Sequence, residues 1–211
     1  MSAVRRQGDS PRRLRFVHCA LAGLLVSLLQ VAAAQARPAE VLLLRHGHKP
    51  GERVNGMTLN TNLSARGWRQ AQHLAEIIPA CFVRGRPLRL ASYRFDPITG
   101  KNARSYQTLV PLAVATGATI RVYSDAESGS EADGRQLLAD PANDGALVVI
   151  AWEHRHLPEL ARGLGWEEMT RIDDDDFDSL WLLRYPDTGG APQITLRSQM
   201  ALDPLGCARG R

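Results

Sequence analysis

Cysteine is scarce in this chain, with only Cys19, Cys81 and Cys207 in 211 residues. There is no internal repeat and no linker-like stretch, so a repeat array or a string of domains is excluded. No apolar run is long enough to span a bilayer. The longest block, from about Phe16 to Ala34, is interrupted by His18 and Gln30 and falls short of the ~20 apolar residues that spanning requires. The acidic run Asp173–Asp176 lacks the alternation of acidic and turn residues that a calcium loop needs, and reads as a solvated loop.

Charge of one sign is missing too, once the first segment is set aside. Arg5, Arg6, Arg12, Arg13 and Arg15 precede the apolar block, and Ala34-Gln35-Ala36 follows it. A positive n-region, a short h-region and an A-x-A site predict a signal peptide over residues 1–36, cut after Ala36. Arg12-Arg13 faintly suggests twin-arginine export, but Leu14-Arg15-Phe16 fits that route poorly. Five of the 26 basic residues and one of the 22 acidic residues belong to this leader, so 21 of each remain. The pI of 9.3 therefore argues for no nucleic-acid partner. Residues 37–211, roughly 175 in number, suit one domain with a real core. The expected location is the periplasm or the medium, with no lasting membrane association after cleavage. In such an oxidising place Cys81 and Cys207 either pair or remain thiols. A pair would close a long loop, worth up to ~4–5 kcal/mol in the chain-entropy model.

The remaining chain alternates between the two periodicities. Val41–Leu44 is a short continuous apolar run, as in a strand buried on both faces. Pro50–Leu63 is a polar loop. Ser64 then caps a helix in which Trp68, Ala71, Leu74, Ala75 and Ile78 form the expected core stripe, with His73 on a wet flank, before Pro79 ends it. Leu88–Tyr93 is a strand and Arg94–Asn102 a turn-rich loop. Ala103–Thr116 is helical, with Gly117 as its stop and Pro111 either kinking it or marking its real start. Thr119–Tyr123 is a strand, Ser124–Gly134 a polar loop and Arg135–Ala139 a short helix. Ala146–Trp152 is a second buried strand, followed by a helix from Pro158 to Gly165 and a hairpin of Trp181–Tyr185 with Gln193–Arg197. This rhythm predicts an α/β domain: a mainly parallel central sheet with helices on both faces.

Both buried runs end in chemistry. The first delivers Arg45, His46 and Gly47, the second Glu153, His154, Arg155 and His156. In open α/β sheets ligands bind outside the carboxyl ends of strands. Gly47 would let the backbone approach a bound group. Arg104 opens a helix, where the N-terminal dipole also favours anions. Two guanidiniums can fork onto phosphoryl oxygens, and nearby positive charge keeps an imidazole neutral and nucleophilic. The same charge stabilises a transferring phosphoryl group.

Arg45–Gly47 (RHG), Leu63–Ala75 (LSARGWRQAQHLA), Ala103–Ala113 (ARSYQTLVPLA) and Ala151–Gly165 (AWEHRHLPELARGLG) together resemble the histidine phosphatase superfamily, the phosphoglycerate-mutase-like or histidine acid phosphatase group. The resemblance covers most of residues 37–211. It implies a three-layer sandwich and a metal-independent, cofactor-free phosphomonoesterase acting on a phosphorylated small molecule or macromolecule. His46 would carry the phosphoryl group, and Arg45, Arg104 and His154 would bind it. The acid for the leaving oxygen would be Glu127, 23 residues beyond Arg104, with Glu131 and Glu153 as reserves. The histidine acid phosphatase branch uses an aspartate directly after the second histidine, a position held here by Arg155. Many relatives carry glutamate where this chain has His48, which would line the mouth of the substrate site.

Two other readings start from the same residues. His46-x-His48 and His154-x-His156 are paired imidazoles of a kind that hold zinc. The barrel that uses such pairs typically needs ~250 residues, however, and Arg45 and Arg104 would repel the cation. A phosphate-binding module without turnover is the second alternative.

Overall fold

The computed structural model describes residues 37–51, 61–123 and 129–209, and the expected signal peptide lies outside them. A six-stranded sheet forms the middle layer: β1 (Glu40–Arg45), β2 (Leu88–Tyr93), β3 (Ile120–Tyr123), β4 (Leu147–Trp152), β5 (Ser179–Arg184) and β6 (Gln193–Ser198). Their order is β3-β2-β4-β1-β5-β6. The β1–β4, β2–β4 and β2–β3 pairs are parallel, while β5 and β6 run antiparallel at one edge. The helices are α1 (Ala65–Ile78), α2 (Ala103–Thr116), α3 (Gly129–Ala139), α4 (Leu157–Gly163) and α5 (Pro204–Arg209). Among the described residues no helix is long and apolar enough to cross a membrane.

β1 and β4 are buried along their whole lengths, because alternate side chains enter two separate cores. Val41, Leu43, Val148, Ile150 and Trp152 pack with Leu137 of α3 and with Leu157, Leu160 and Ala161 of α4. Leu42, Leu44, Val149 and Ala151 pack with Leu74, Ile77 and Ile78 of α1 and Leu109 and Leu112 of α2. This is the expected α/β class, with helices on both faces and parallel pairing dominant.

Four local expectations fail, each for a visible reason. Trp68 is 43% exposed rather than part of the core. The buried face of α1 is instead Gly67, Ala71, Leu74, Ile77 and Ile78. A Cβ on Gly67 would lie 2.3 Å from the His48 carbonyl oxygen, so the helix reaches the β1 loop only through a residue without a side chain. Pro111 lies inside a continuous α2 rather than at its start. The third helix begins at Gly129 and not Arg135, taking in residues read as loop. Ser130 accepts a bond from Trp152 Nε1 at 3.0 Å, and Gly134 packs against the backbone of α4. Buried polar partners, invisible to an apolar period, hold that first turn. Finally, His73 is half-buried, with Nε2 3.1 Å from the Gln199 carbonyl oxygen.

Cys81 and Cys207 form a disulfide with Cα atoms 5.0 Å apart, tying α5 to the π-helical turn Pro79–Val83 that follows α1.

Candidate active site

The register of the two central strands sets the site. Arg45 lies opposite Trp152 in the parallel β1–β4 pair, and the His46 N–H donates to the Trp152 carbonyl at 3.2 Å. The chain leaves both strands at the same height, so the histidine that follows each one arrives at the same edge. The rings of His46 and His154 stand 6.1 Å apart, edge to face at 86°.

His46 is buried, at 5% exposure. Its Nδ1 lies 2.8 Å from the Gly47 carbonyl oxygen. A carbonyl can only accept, so this bond assigns the proton to Nδ1 and leaves the Nε2 lone pair available. Burial pushes the His46 pKa down to about 3; the Gly47 carbonyl opposes this, while Arg104 and then Arg45 add to it. The ring is therefore neutral at ordinary pH. Arg104, in the first turn of α2, is brought to the site, where Glu153 offsets part of the cost of burying its guanidinium. The same helix buttresses the β1 loop: the Gly47 N–H donates to Thr108 Oγ1 at 2.8 Å, and Thr108 donates to the Arg104 carbonyl at 2.7 Å. Gly47 serves packing, since its added Cβ would stand 3.0 Å from the Gly67 carbonyl oxygen.

Arg45 is 1% exposed, and burial lowers its pKa against the raising effect of Asp174 and Glu153. Its Nη1 donates to the carbonyls of Asp173 (3.3 Å), Asp174 (2.7 Å) and Asp176 (3.0 Å). One flat face of the guanidinium lies 3.9 Å from the Phe177 ring centroid. Nε and Nη2 are buried and make no hydrogen bond. Buried unpaired donors are costly, and a bound anion is the partner that would satisfy both.

His154 has carboxylates at both nitrogens. Glu153 Oε1 is 3.0 Å from Nδ1, and Asp174 Oδ1 is 3.3 Å from Nε2. Burial of Glu153 raises its pKa, but the hydrogen bond and charge of His154, with the Arg155 backbone and side chain, outweigh this and hold it at about 2. Glu153 is thus a fixed anion, with no proton to give at neutral pH. Glu131 is no better placed: it is exposed and paired with Arg135 and Arg162, which lower its pKa. Glu127 lies outside the described residues.

The run Asp173–Asp176 is an exposed loop, as expected, with Asp173, Asp174 and Asp175 on the surface. It also forms part of the site: its carbonyls hold Arg45, its Asp174 carboxylate meets His154, and the adjoining Phe177 is 8% exposed. Phe177 also stacks on His48 at 4.1 Å, so one ring serves the arginine and the outer histidine together. Beyond it lies a cavity of about 540 Å³ lined by His48, Arg66, Arg69, Gln70 and His73 of the α1 side and by Asp175 and Asp178. That volume suits a small ligand.

The two HxH pairs do not gather. His156 stacks on Tyr93 at 5.5 Å with Glu159 at its Nδ1, away from His48 on Phe177. Among the described residues, no group of three His, Cys, Asp or Glu side chains is arranged to hold a metal ion.

No family model and no curated protein matches the chain. Among solved structures it is similar to "Mycobacterial hydrolase 1", at 19% identity over 80% of this chain and 100% of that one, with a TM-score of 0.49. A mycobacterial glucosyl-3-phosphoglycerate phosphatase with bound VO3 is 19% identical over 76% of this chain and 97% of the other, TM-score 0.47. The protein histidine phosphatase SixA with tungstate is 14% identical over 76% and 97%, TM-score 0.47. Scores this low decide nothing about activity, which has to be read from the side chains.

Proposed function

We propose that the chain is an exported, metal-independent phosphomonoesterase of the histidine phosphatase kind. The observation that carries this reading is a neutral, buried imidazole with its Nε2 available, facing a second histidine and a buried arginine with two unpaired donors. The Nε2 lone pair of His46 attacks phosphorus and the P–O bond to the alcohol breaks. Arg45, Arg104 and His154 hold the phosphoryl oxygens as charge spreads over them. A protonated Glu127 gives its proton to the leaving oxygen. Water then attacks the phosphohistidine, the P–N bond breaks, and the same carboxylate takes up the water proton.

Glu127 keeps this role by elimination, because Glu131 and Glu153 are both held ionised by cationic neighbours. Export rests on the leader at residues 1–36, and the Cys81–Cys207 disulfide supports it. The substrate is a phosphorylated small molecule or macromolecule whose alcohol reaches the cavity beside His48.

Residues 37–211, purified, should hydrolyse p-nitrophenyl phosphate equally well with and without EDTA. General acid catalysis typically supplies ~10²–10⁴-fold, so Glu127→Gln should lose that much on an alkyl phosphate and far less on p-nitrophenyl phosphate. Equal losses on both would remove Glu127 from the role. Loss of all activity in EDTA would overturn metal independence.

A further inference from the structure

We propose that Asp174 is the site's own competing anion: its carboxylate sits on the nitrogen of His154 that a phosphoryl oxygen must meet, and so sets how weakly the site holds phosphate. This rests on the phosphatase reading above. His154 has two nitrogens to offer. Nδ1 is itself buried, with Glu153 Oε1 3.0 Å away but without hydrogen-bond geometry. Only Nε2 remains for a phosphoryl group, and Asp174 Oδ1 is 3.3 Å from it. Bound phosphate and Asp174 therefore compete for one ring nitrogen.

The competitor is built to yield. The Asp174 side chain is 64% exposed, and the oxygen that meets His154 is also 3.2 Å from Arg171 Nη2, itself on the surface. When a phosphoryl oxygen arrives, the carboxylate keeps Arg171 as partner and moves outward. Its backbone has a separate duty, since the Asp174 carbonyl accepts from Arg45 at 2.7 Å. The segment stays anchored while its side chain moves. In a reaction that ends with inorganic phosphate lodged between guanidiniums and His154, a displaceable anion at that nitrogen speeds product departure and limits product inhibition.

The test is calorimetric titration with inorganic phosphate at fixed ionic strength, so that screening is constant. The proteins are the parent, Asp174→Asn, Asp174→Ala and Glu168→Gln. The last removes the same charge from an exposed carboxylate outside the site. Both Asp174 variants should bind phosphate about tenfold more tightly, and KM for p-nitrophenyl phosphate should fall in parallel. Glu168→Gln should stay within about twofold of the parent. The proposal is overturned if the Asp174 variants bind phosphate no more tightly, if they bind it more weakly, or if Glu168→Gln gains as much. Phosphate binding that tightens in a protein without turnover would sink the phosphatase reading and leave this one standing. Absence of phosphate binding in every protein would end both.

Discussion

His46 and His154 occupy matching places at the ends of neighbouring parallel strands, yet their surroundings differ in kind. His46 meets one carbonyl and two guanidiniums, and burial keeps its ring uncharged. His154 lies between two carboxylates, one buried and one exposed. A neutral ring with an open lone pair is a nucleophile, whereas a ring whose two nitrogens face carboxylates has no open lone pair to attack with. The sheet supplies the symmetry, and the charges around it assign the roles.

The most severe way to break this comparison is to delete the nucleophile. His46→Ala should lower kcat by about 10⁴-fold or more and abolish acid-labile phosphoenzyme labelling. Retained labelling would move the nucleophile elsewhere. His154→Gln keeps the nucleophile and loses a ring that holds the phosphoryl oxygens, so kcat/KM should fall about 10–100-fold while labelling persists. If both variants lost labelling equally, the division of labour would be wrong.

Acid sharpens the contrast. His46 has a folded pKa of about 3, below its unfolded value of about 6.5. The unfolded chain therefore binds the extra proton first, and stability falls as pH drops from about 6.5 towards 3. Glu153, held at about 2 against an ordinary value of 4.5, contributes stability above 4.5 that is lost as pH falls through 2. Urea unfolding at pH 8 and pH 5 should show His46→Gln relieved of about 2 kcal/mol of this acid penalty, with Glu153→Gln little changed across that interval. The smallest effects belong to the outer rings. His156→Ala should change kcat within about twofold, because its ring stacks on Tyr93 away from the reacting pair. His48→Ala should act mainly on KM, by loosening Phe177.

Much of the frame was legible in the chain itself. Continuous apolar runs in β1 and β4 announced strands buried on both faces, and the charged residues directly after them announced the reactive edge. Periodicity could not report polar burial. Ser130 and Asp133 are buried in α3, which is why its first turn read as loop. In the α1 stripe Ala71, Leu74 and Ile78 are buried as expected, and only Trp68 was out of place, because it looks like core whereas the close approach is made by Gly67. The acidic run Asp173–Asp176 is the exposed loop expected, but its part in the site stayed hidden for a different reason. Its carbonyls do much of the work at Arg45, and backbone groups leave no trace in residue identity. Phe177 gave the one available signal, a lone aromatic directly after four aspartates.

The Cys81–Cys207 link has a practical meaning. It staples the last helix to the turn that ends α1, the helix whose Gly67 packs on the β1 loop. Material made in a reducing cytosol would lack that staple, and its tail would be held by side-chain packing alone. Catalytic assays on such preparations would then report the thiol chemistry of the expression host as much as the protein's own competence.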